Sequence, residues 1–264
     1  MTMANISFAR AIGTRGHRRR GLALASAALL IAGLALPALA AAPVAPPSQI
    51  PARLNADPSF PFSNEIEAFA KANEAGPPIT DATLFMGSSS IRLWDIHGSF
   101  PDIGTVNRGF GGATTPDVLH YYRRLLPKAK PRSILVYVGE NDLAAGAAPA
   151  DVANNVLALM KKLRSDFPKA HIAYLSLKPS PIRWTLWPKM AAVNMTVAAR
   201  GRVTGFDYID VSRTLLAADG LPDASLFRPD GLHMNSRGYG RWTRLVDAYL
   251  DQAAAADGAR QSSS

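Results

Sequence analysis

Four short clusters carry the residue types that could do chemistry. They are Gly87-Ser88-Ser89-Ser90, Asn107-Arg108-Gly109-Phe110-Gly111-Gly112, Gly139-Glu140-Asn141-Asp142 and Pro229-Asp230-Gly231-Leu232-His233. A serine hydroxyl is a poor nucleophile until a base takes its proton, and histidine is the side chain suited to that task near neutral pH. Asp230 stands three residues before His233, so one turn of chain brings its carboxylate to the imidazole. There it fixes the tautomer and stabilises the imidazolium. A tetrahedral oxyanion then needs donors already in place. The backbone N–H groups of Ser89 and Gly112 and the side-chain amide of Asn141 can supply three. Glycine at 112 leaves no Cβ between backbone and substrate. The chemistry implied is acyl transfer through a serine.

Taken singly, each cluster has a plainer explanation. A serine triplet after a strand suits a turn and a helix N-cap. The glycines spell G-x-G-G, but a dinucleotide fingerprint would need glycine where Thr114 stands. Gly139 to Asp142 suits a turn with an Asx cap. His233 is one of five histidines, and His97, His120 and His171 lack such a setting and read as structural. The argument rests on the four clusters together.

The elements that must position them follow from hydrophobic patterning. Short β-rich apolar runs at Ala82–Gly87, Thr105–Asn107, Ser133–Val138, His171–Leu177 and Phe206–Val211 alternate with helical patterns at Pro116–Leu126, Ala150–Asp166, Pro188–Arg202 and Ser236–Asp251. Val152, Val156, Leu159, Met160 and Leu163 share one helix face. Ile134-Leu135-Val136-Tyr137-Val138 is apolar without alternation, as a strand buried on both faces should be. Strands alternating with helices predict an α/β fold, a parallel sheet with helices on both sides joined by right-handed crossovers. Sites in such sheets lie beyond the carboxyl ends of the strands, where all four clusters fall.

The order Gly-x-Ser, Gly, Asn, Asp-x-x-His resembles the SGNH (GDSL-type) hydrolase superfamily of esterases, lipases and acetylesterases, over roughly Thr83 to Tyr249. Phe85-Met86-Gly87-Ser88-Ser89-Ser90-Ile91-Arg92-Leu93-Trp94 and Lys178-Pro179-Ser180-Pro181-Ile182-Arg183-Trp184 resemble a bacterial branch related to platelet-activating-factor acetylhydrolase subunits. The resemblance implies a flavodoxin-like three-layer α/β/α sandwich with a five-stranded parallel sheet, and neither metal nor organic cofactor. It implies Ser89 as nucleophile, His233 as base, Asp230 as its orienter, and Ser89, Gly112 and Asn141 as the oxyanion hole. The chain departs from the usual Gly-Asp-Ser, which is Gly87-Ser88-Ser89 here. Ser88 cannot carry that aspartate's charge. The triplet leaves the nucleophile open by one place, and register with the rest of the motif favours Ser89. Arg183 and Trp184 are candidates for holding a sugar ring or polar head group, or simply pack their loop. Leu226 and Phe227 either line an acyl pocket or belong to the core.

Composition bounds the rest. The chain has 264 residues, 48% of them apolar, and no cysteine, which excludes thiolate nucleophiles and Cys-based metal sites. Of the net charge of +9, residues 1–40 supply +5 through Arg10, Arg15, Arg18, Arg19 and Arg20. The remainder has 24 Lys and Arg against 20 Asp and Glu, so a basic nucleic-acid-binding body is not supported. The basic stretch, the apolar run Gly21–Leu36 and Ala38-Leu39-Ala40 have the layout of a cleavable signal peptide, residues 1–40, the alternative being an uncleaved membrane anchor. A proline-rich linker at 41–63, a catalytic domain at 64–250 and a flexible tail at 251–264 complete the expected organisation. The function expected is an exported, periplasmic or secreted serine esterase acting on short acyl, chiefly acetyl, esters of a small molecule or carbohydrate. It would have no nucleic-acid partner, and no stable membrane partner unless the leader is kept. Its rivals are a lysophospholipase or thioesterase using the same residues, a non-catalytic carbohydrate- or envelope-binding module on the same scaffold, and a flavodoxin-like nucleotide or phosphate binder.

Overall fold

A computed structural model of the chain describes residues 62–75 and 79–262. The expected signal peptide and nearly all of the linker lie outside the described residues. Five strands, β1 Thr83–Gly87, β2 Thr105–Gly109, β3 Ser133–Tyr137, β4 His171–Leu175 and β5 Asp207–Ile209, form one sheet in the order β2-β1-β3-β4-β5. All four pairings are parallel. β1 and β3 are buried along their whole lengths, as their unbroken apolar runs require. The edge strand β5 has only three residues, which leaves little edge open for pairing.

The helices are α1 Ser63–Ala75, α2 Ser89–Arg92, α3 Ile96–Ser99, α4 Thr115–His120, α5 Tyr122–Leu125, α6 Glu140–Ala144, α7 Pro149–Asp166, α8 Trp187–Thr204 and α9 Ser236–Gln261. A 3₁₀ segment at Pro181–Leu186 leads into α8. The helices α4, α7 and α8 pack in sequence along one layer, where right-handed crossovers from β2 to β5 place them. α9 lies in the other layer with the segment carrying Trp94. The α7 stripe of Val152, Val156, Leu159, Met160 and Leu163 is buried as expected. α4 starts with a capping box, Thr114 and Asp117 each satisfying the other's backbone N–H.

An aromatic cluster ties the second layer to the middle of the sheet. Trp94 meets Phe85 of β1 at 5.6 Å and Trp242 of α9 at 5.7 Å, and stacks on Tyr239 at 5.8 Å. Trp242 also meets Tyr137 of β3 at 5.0 Å. Edge-to-face and offset pairs of this kind add about 0.5–1.5 kcal/mol each beyond burial. Tyr239 then donates its hydroxyl hydrogen to the Ser90 carbonyl at 3.0 Å. The helix that contributes the aromatic ballast therefore also holds the serine turn.

Several boundaries differ from the patterning. The expected helix Pro116–Leu126 is two helices, because the chain bends at Tyr121 (φ −88°, ψ 5°). The bend lets Tyr121 face Phe110 while Tyr122 and Leu125 are buried. α1 was not expected at all. It packs beside α5, and Phe62 just before it meets Phe110 at 5.0 Å. The expected flexible tail at 251–264 is instead helical to Gln261. Ala253 is buried, and Asp257 accepts hydrogen bonds from Arg132 Nε at 3.0 Å and the His171 ring at 2.9 Å, so that end of α9 is anchored. His171 is thus structural, as expected.

Candidate active site

All four clusters meet at the carboxyl ends of the strands, beside the β1–β3 junction where the strand order reverses. Each is delivered by a local constraint. Gly87 closes β1 at φ +140°, and a Cβ there would lie 1.9 Å from the Tyr137 carbonyl oxygen. Only glycine allows the β1 terminus to approach β3 so closely. The Ser88 N–H donates to that same Tyr137 carbonyl at 3.0 Å. The chain then turns into α2, and Ser89 occupies its first position. First-turn N–H groups have no acceptor within their helix. The Ser89 N–H is therefore available to an oxyanion. Ser88 and Ser90 are buried, whereas Ser89 is partly exposed. Of the three, Ser89 is the one with side-chain exposure at the strand ends.

The Ser89 hydroxyl lies 3.0 Å from His233 Nε2, and His233 Nδ1 lies 2.7 Å from Asp230 Oδ2. A carboxylate only accepts, so Nδ1–H donates to Asp230 and Nε2 is left to accept the Ser89 proton. Asp230 Oδ1 also accepts from the backbone N–H groups of Leu232 and His233, both at 2.9 Å. Burial opposes its ionisation, but the hydrogen bonds from the His233 ring and from those two N–H groups prevail and hold its pKa at about 2. The turn is stapled at its base: Arg228 N–H donates to the His233 carbonyl at 2.7 Å, and the Asn235 amide donates to the Ser225 and Phe227 carbonyls.

The other two oxyanion candidates adjoin each other, since the Asn141 amide bonds the Ala113 carbonyl next to Gly112. Gly112 has φ +75°, a conformation that favours glycine, and a Cβ on it would project into open space. Its loop is fastened on both sides. The Gly111 N–H donates to Glu65 of α1 at 3.2 Å, and the Thr115 N–H donates to both oxygens of buried Asp142 at 3.0 Å. Asn141 donates one amide hydrogen to the Ala113 carbonyl at 2.9 Å. Its second N–H remains for a ligand. Glu65, Asp142 and Glu140 thus support the site, although the sequence reading gave none of them a role. Glu65 lies in an unrecognised helix, and the acids of Gly139-Glu140-Asn141-Asp142 were visible without partners.

The substrate candidates change meaning. Arg183 reaches the site, and one guanidinium nitrogen, Nη1, is bonded within the chain. It donates to Glu140 Oε1 and to Asn141 Oδ1, both at 3.1 Å. Trp184 stacks on Trp187 at 6.1 Å, and neighbouring Ile182 is half-exposed beside Gly231 of the Asp-x-x-His turn. Leu226 and Phe227 belong to the core. Among the described residues no group of three or more His, Asp or Glu is arranged to hold a metal, and no helix is long and apolar enough to cross a membrane.

Residues 92–241 match the GDSL-like Lipase/Acylhydrolase family. The matched span includes Gly112, Asn141, Asp230 and His233 and begins just past Ser89. No curated protein matches the chain. Among solved structures, the chain is similar to a Streptococcus pneumoniae protein proposed to be a platelet activating factor, with 20% identity and a TM-score of 0.65 over 71% of this chain and 91% of that one. It is also similar to a GDSL-like lipase from Bacteroides thetaiotaomicron, with 18% identity and a TM-score of 0.61 over 71% of this chain and 98% of that one. A proposed acylhydrolase from Bacteroides fragilis matches with 18% identity and a TM-score of 0.62 over 70% and 95%. At such identities the likeness is one of fold.

Proposed function

Because this chain belongs to the GDSL-like lipase/acylhydrolase family and is a hydrolase of the esterase type, we propose that it cleaves short acyl esters through a covalent Ser89 intermediate. The observation that carries this reading is the unbroken relay from Ser89 Oγ through His233 to Asp230, with spacings of 3.0 and 2.7 Å. Ser89 Oγ attacks the ester carbonyl carbon as His233 Nε2 takes its proton. The carbonyl π pair moves onto oxygen, where the N–H groups of Ser89, Gly112 and Asn141 receive it. Collapse expels the alkoxide, which leaves with the proton from His233. Water, deprotonated by the same imidazole, then attacks the acyl-serine and releases the acid and free Ser89.

The acyl group is proposed to be short, acetyl above all. Leu226 and Phe227, the nearest candidates for an apolar channel, are packed into the core, which supports a small acyl site. A panel of p-nitrophenyl esters tests it. Acetate is expected to exceed octanoate in kcat/KM by at least about tenfold, the scale on which hydrophobic pockets discriminate chain length. The reverse order would favour the lysophospholipase or thioesterase reading. The leader at 1–40 supports export as part of the same proposal, with a small-molecule or carbohydrate ester outside the cytoplasm as substrate.

Asn141→Ala should lower kcat by about 10²–10³ on the preferred ester, because one preorganised donor to the oxyanion is lost. Steady-state kinetics on folded protein checks this.

A further inference from the structure

Beneath the oxyanion donors lies a charged cluster that the ester chemistry does not itself require. Lys178 is fully buried and Glu140 is nearly so. Lys178 Nζ donates to Glu140 Oε2 at 3.1 Å, and the Tyr137 hydroxyl donates to the same carboxylate oxygen. Arg183 donates to the other oxygen at 3.1 Å. Burial acts against the Glu140 charge, but Lys178 and Arg183 outweigh it and hold the carboxyl below its usual range. Two cations therefore share one carboxylate, and each has donor capacity left over. Arg183 spends its share on the Asn141 side-chain oxygen at 3.1 Å, and Lys178 spends its share on the Leu232 carbonyl at 2.9 Å. One contact lands on the oxyanion donor and the other on the residue preceding the base.

The Arg183 contact also decides which way the Asn141 amide faces. A guanidinium only donates, so it fixes Oδ1 toward Arg183, and the Ala113 carbonyl only accepts, so it fixes Nδ2 on the opposite side. Without Arg183 the amide has one anchor instead of two. Buried ion pairs are costly to assemble and weak evidence for stability, so their value here lies in geometry. We propose that Arg183 and Lys178, bridged by Glu140, form a clamp that orients the Asn141 amide and sets it against the His233 turn, with Arg183 as the positioning residue on the oxyanion side. The proposal rests on the reading that Asn141 serves the oxyanion and His233 the base.

A double-mutant cycle between Arg183→Met and Asn141→Ala tests the clamp, with active sites counted by fluorophosphonate titration so that misfolded protein does not enter kcat. Arg183→Met alone is expected to lower kcat by about 10–100-fold with KM within about twofold, since the interaction is used in the transition state. In the Asn141→Ala background the same substitution should cost less than about threefold, because coupled residues are non-additive. If Arg183→Met fails to fold, Arg183→Lys enters the same cycle. It keeps a charge beside Glu140 but carries it on a shorter stem than the Nη1 that bonds both Glu140 and Asn141, and the same non-additivity is expected. Equal losses in both backgrounds, or a loss carried by KM, would overturn the clamp while leaving Asn141 as an oxyanion donor. An Asn141→Ala enzyme with nearly full kcat would remove the oxyanion reading and the clamp with it.

Discussion

Ser89→Ala is expected to lower kcat on the preferred ester by about 10⁶, the scale seen when a triad serine is removed. The argument is geometric. Ser89 is the member of the triplet that is partly exposed, and its hydroxyl is 3.0 Å from the imidazole. Ser88 and Ser90 are buried, and neither can take over. The fold should survive, since the turn is held by backbone contacts that alanine preserves: Ser88 N–H to Tyr137, Leu93 N–H to the Ser89 carbonyl, and Tyr239 to the Ser90 carbonyl. An unchanged thermal midpoint with activity gone is the expected pair of results. Because the remaining N–H donors still bind an oxyanion, residual catalysis over water of about 10³–10⁴ is expected to remain.

Asp230→Asn should cost about 10⁴ in kcat. An asparagine can offer its N–H to Nδ1 and so favour the tautomer that presents a hydrogen to Ser89 instead of a lone pair. The pH profile carries the same claim. The pKa of Asp230 is held at about 2, below the ordinary carboxylate value of about 3.9. Its contribution to stability is therefore fully present above the ordinary value and is lost as pH falls from there toward 2. In mild acid Asp230 is still ionised, so its carboxylate goes on orienting the His233 ring there. The fall of the thermal midpoint below the ordinary carboxylate value should be smaller in Asp230→Asn than in the wild-type chain, and an identical fall in both would contradict the assignment.

Much of this was legible in the sequence because the signals are local. The buried strands β1 and β3 read directly from unbroken apolar runs. The Asp230–His233 spacing specified a turn that the backbone N–H groups of Leu232 and His233 complete. The parts that escaped depend on distant partners or weak patterns. In α1 only Ile66 is fully buried, with Phe69 packed partly against the core, so its apolar stripe is short. Yet it supplies Glu65 to the Gly111 N–H across 46 positions. The helical end of α9 is alanine-rich and reads as a loose tail, and its anchor, Asp257, meets Arg132 and His171 more than eighty positions away. Lysine in a sequence reads as surface, and Lys178 is instead buried against a glutamate 38 positions away. The stretch around Arg183 pointed to the rim, but nothing local shows that its Nη1 bonds Glu140 and Asn141, 43 and 42 positions away.

The central claim is that Ser89 is an activated nucleophile. Intact-mass analysis after treatment with a fluorophosphonate, on the wild-type chain and on Ser89→Ala, tests it most directly. The account predicts a single phosphonyl adduct on the folded wild type and none on the variant. An adduct that persists on Ser89→Ala would move the nucleophile elsewhere. Folded wild-type protein that takes no label would mean the relay is not active, and would turn attention to the binding-module reading.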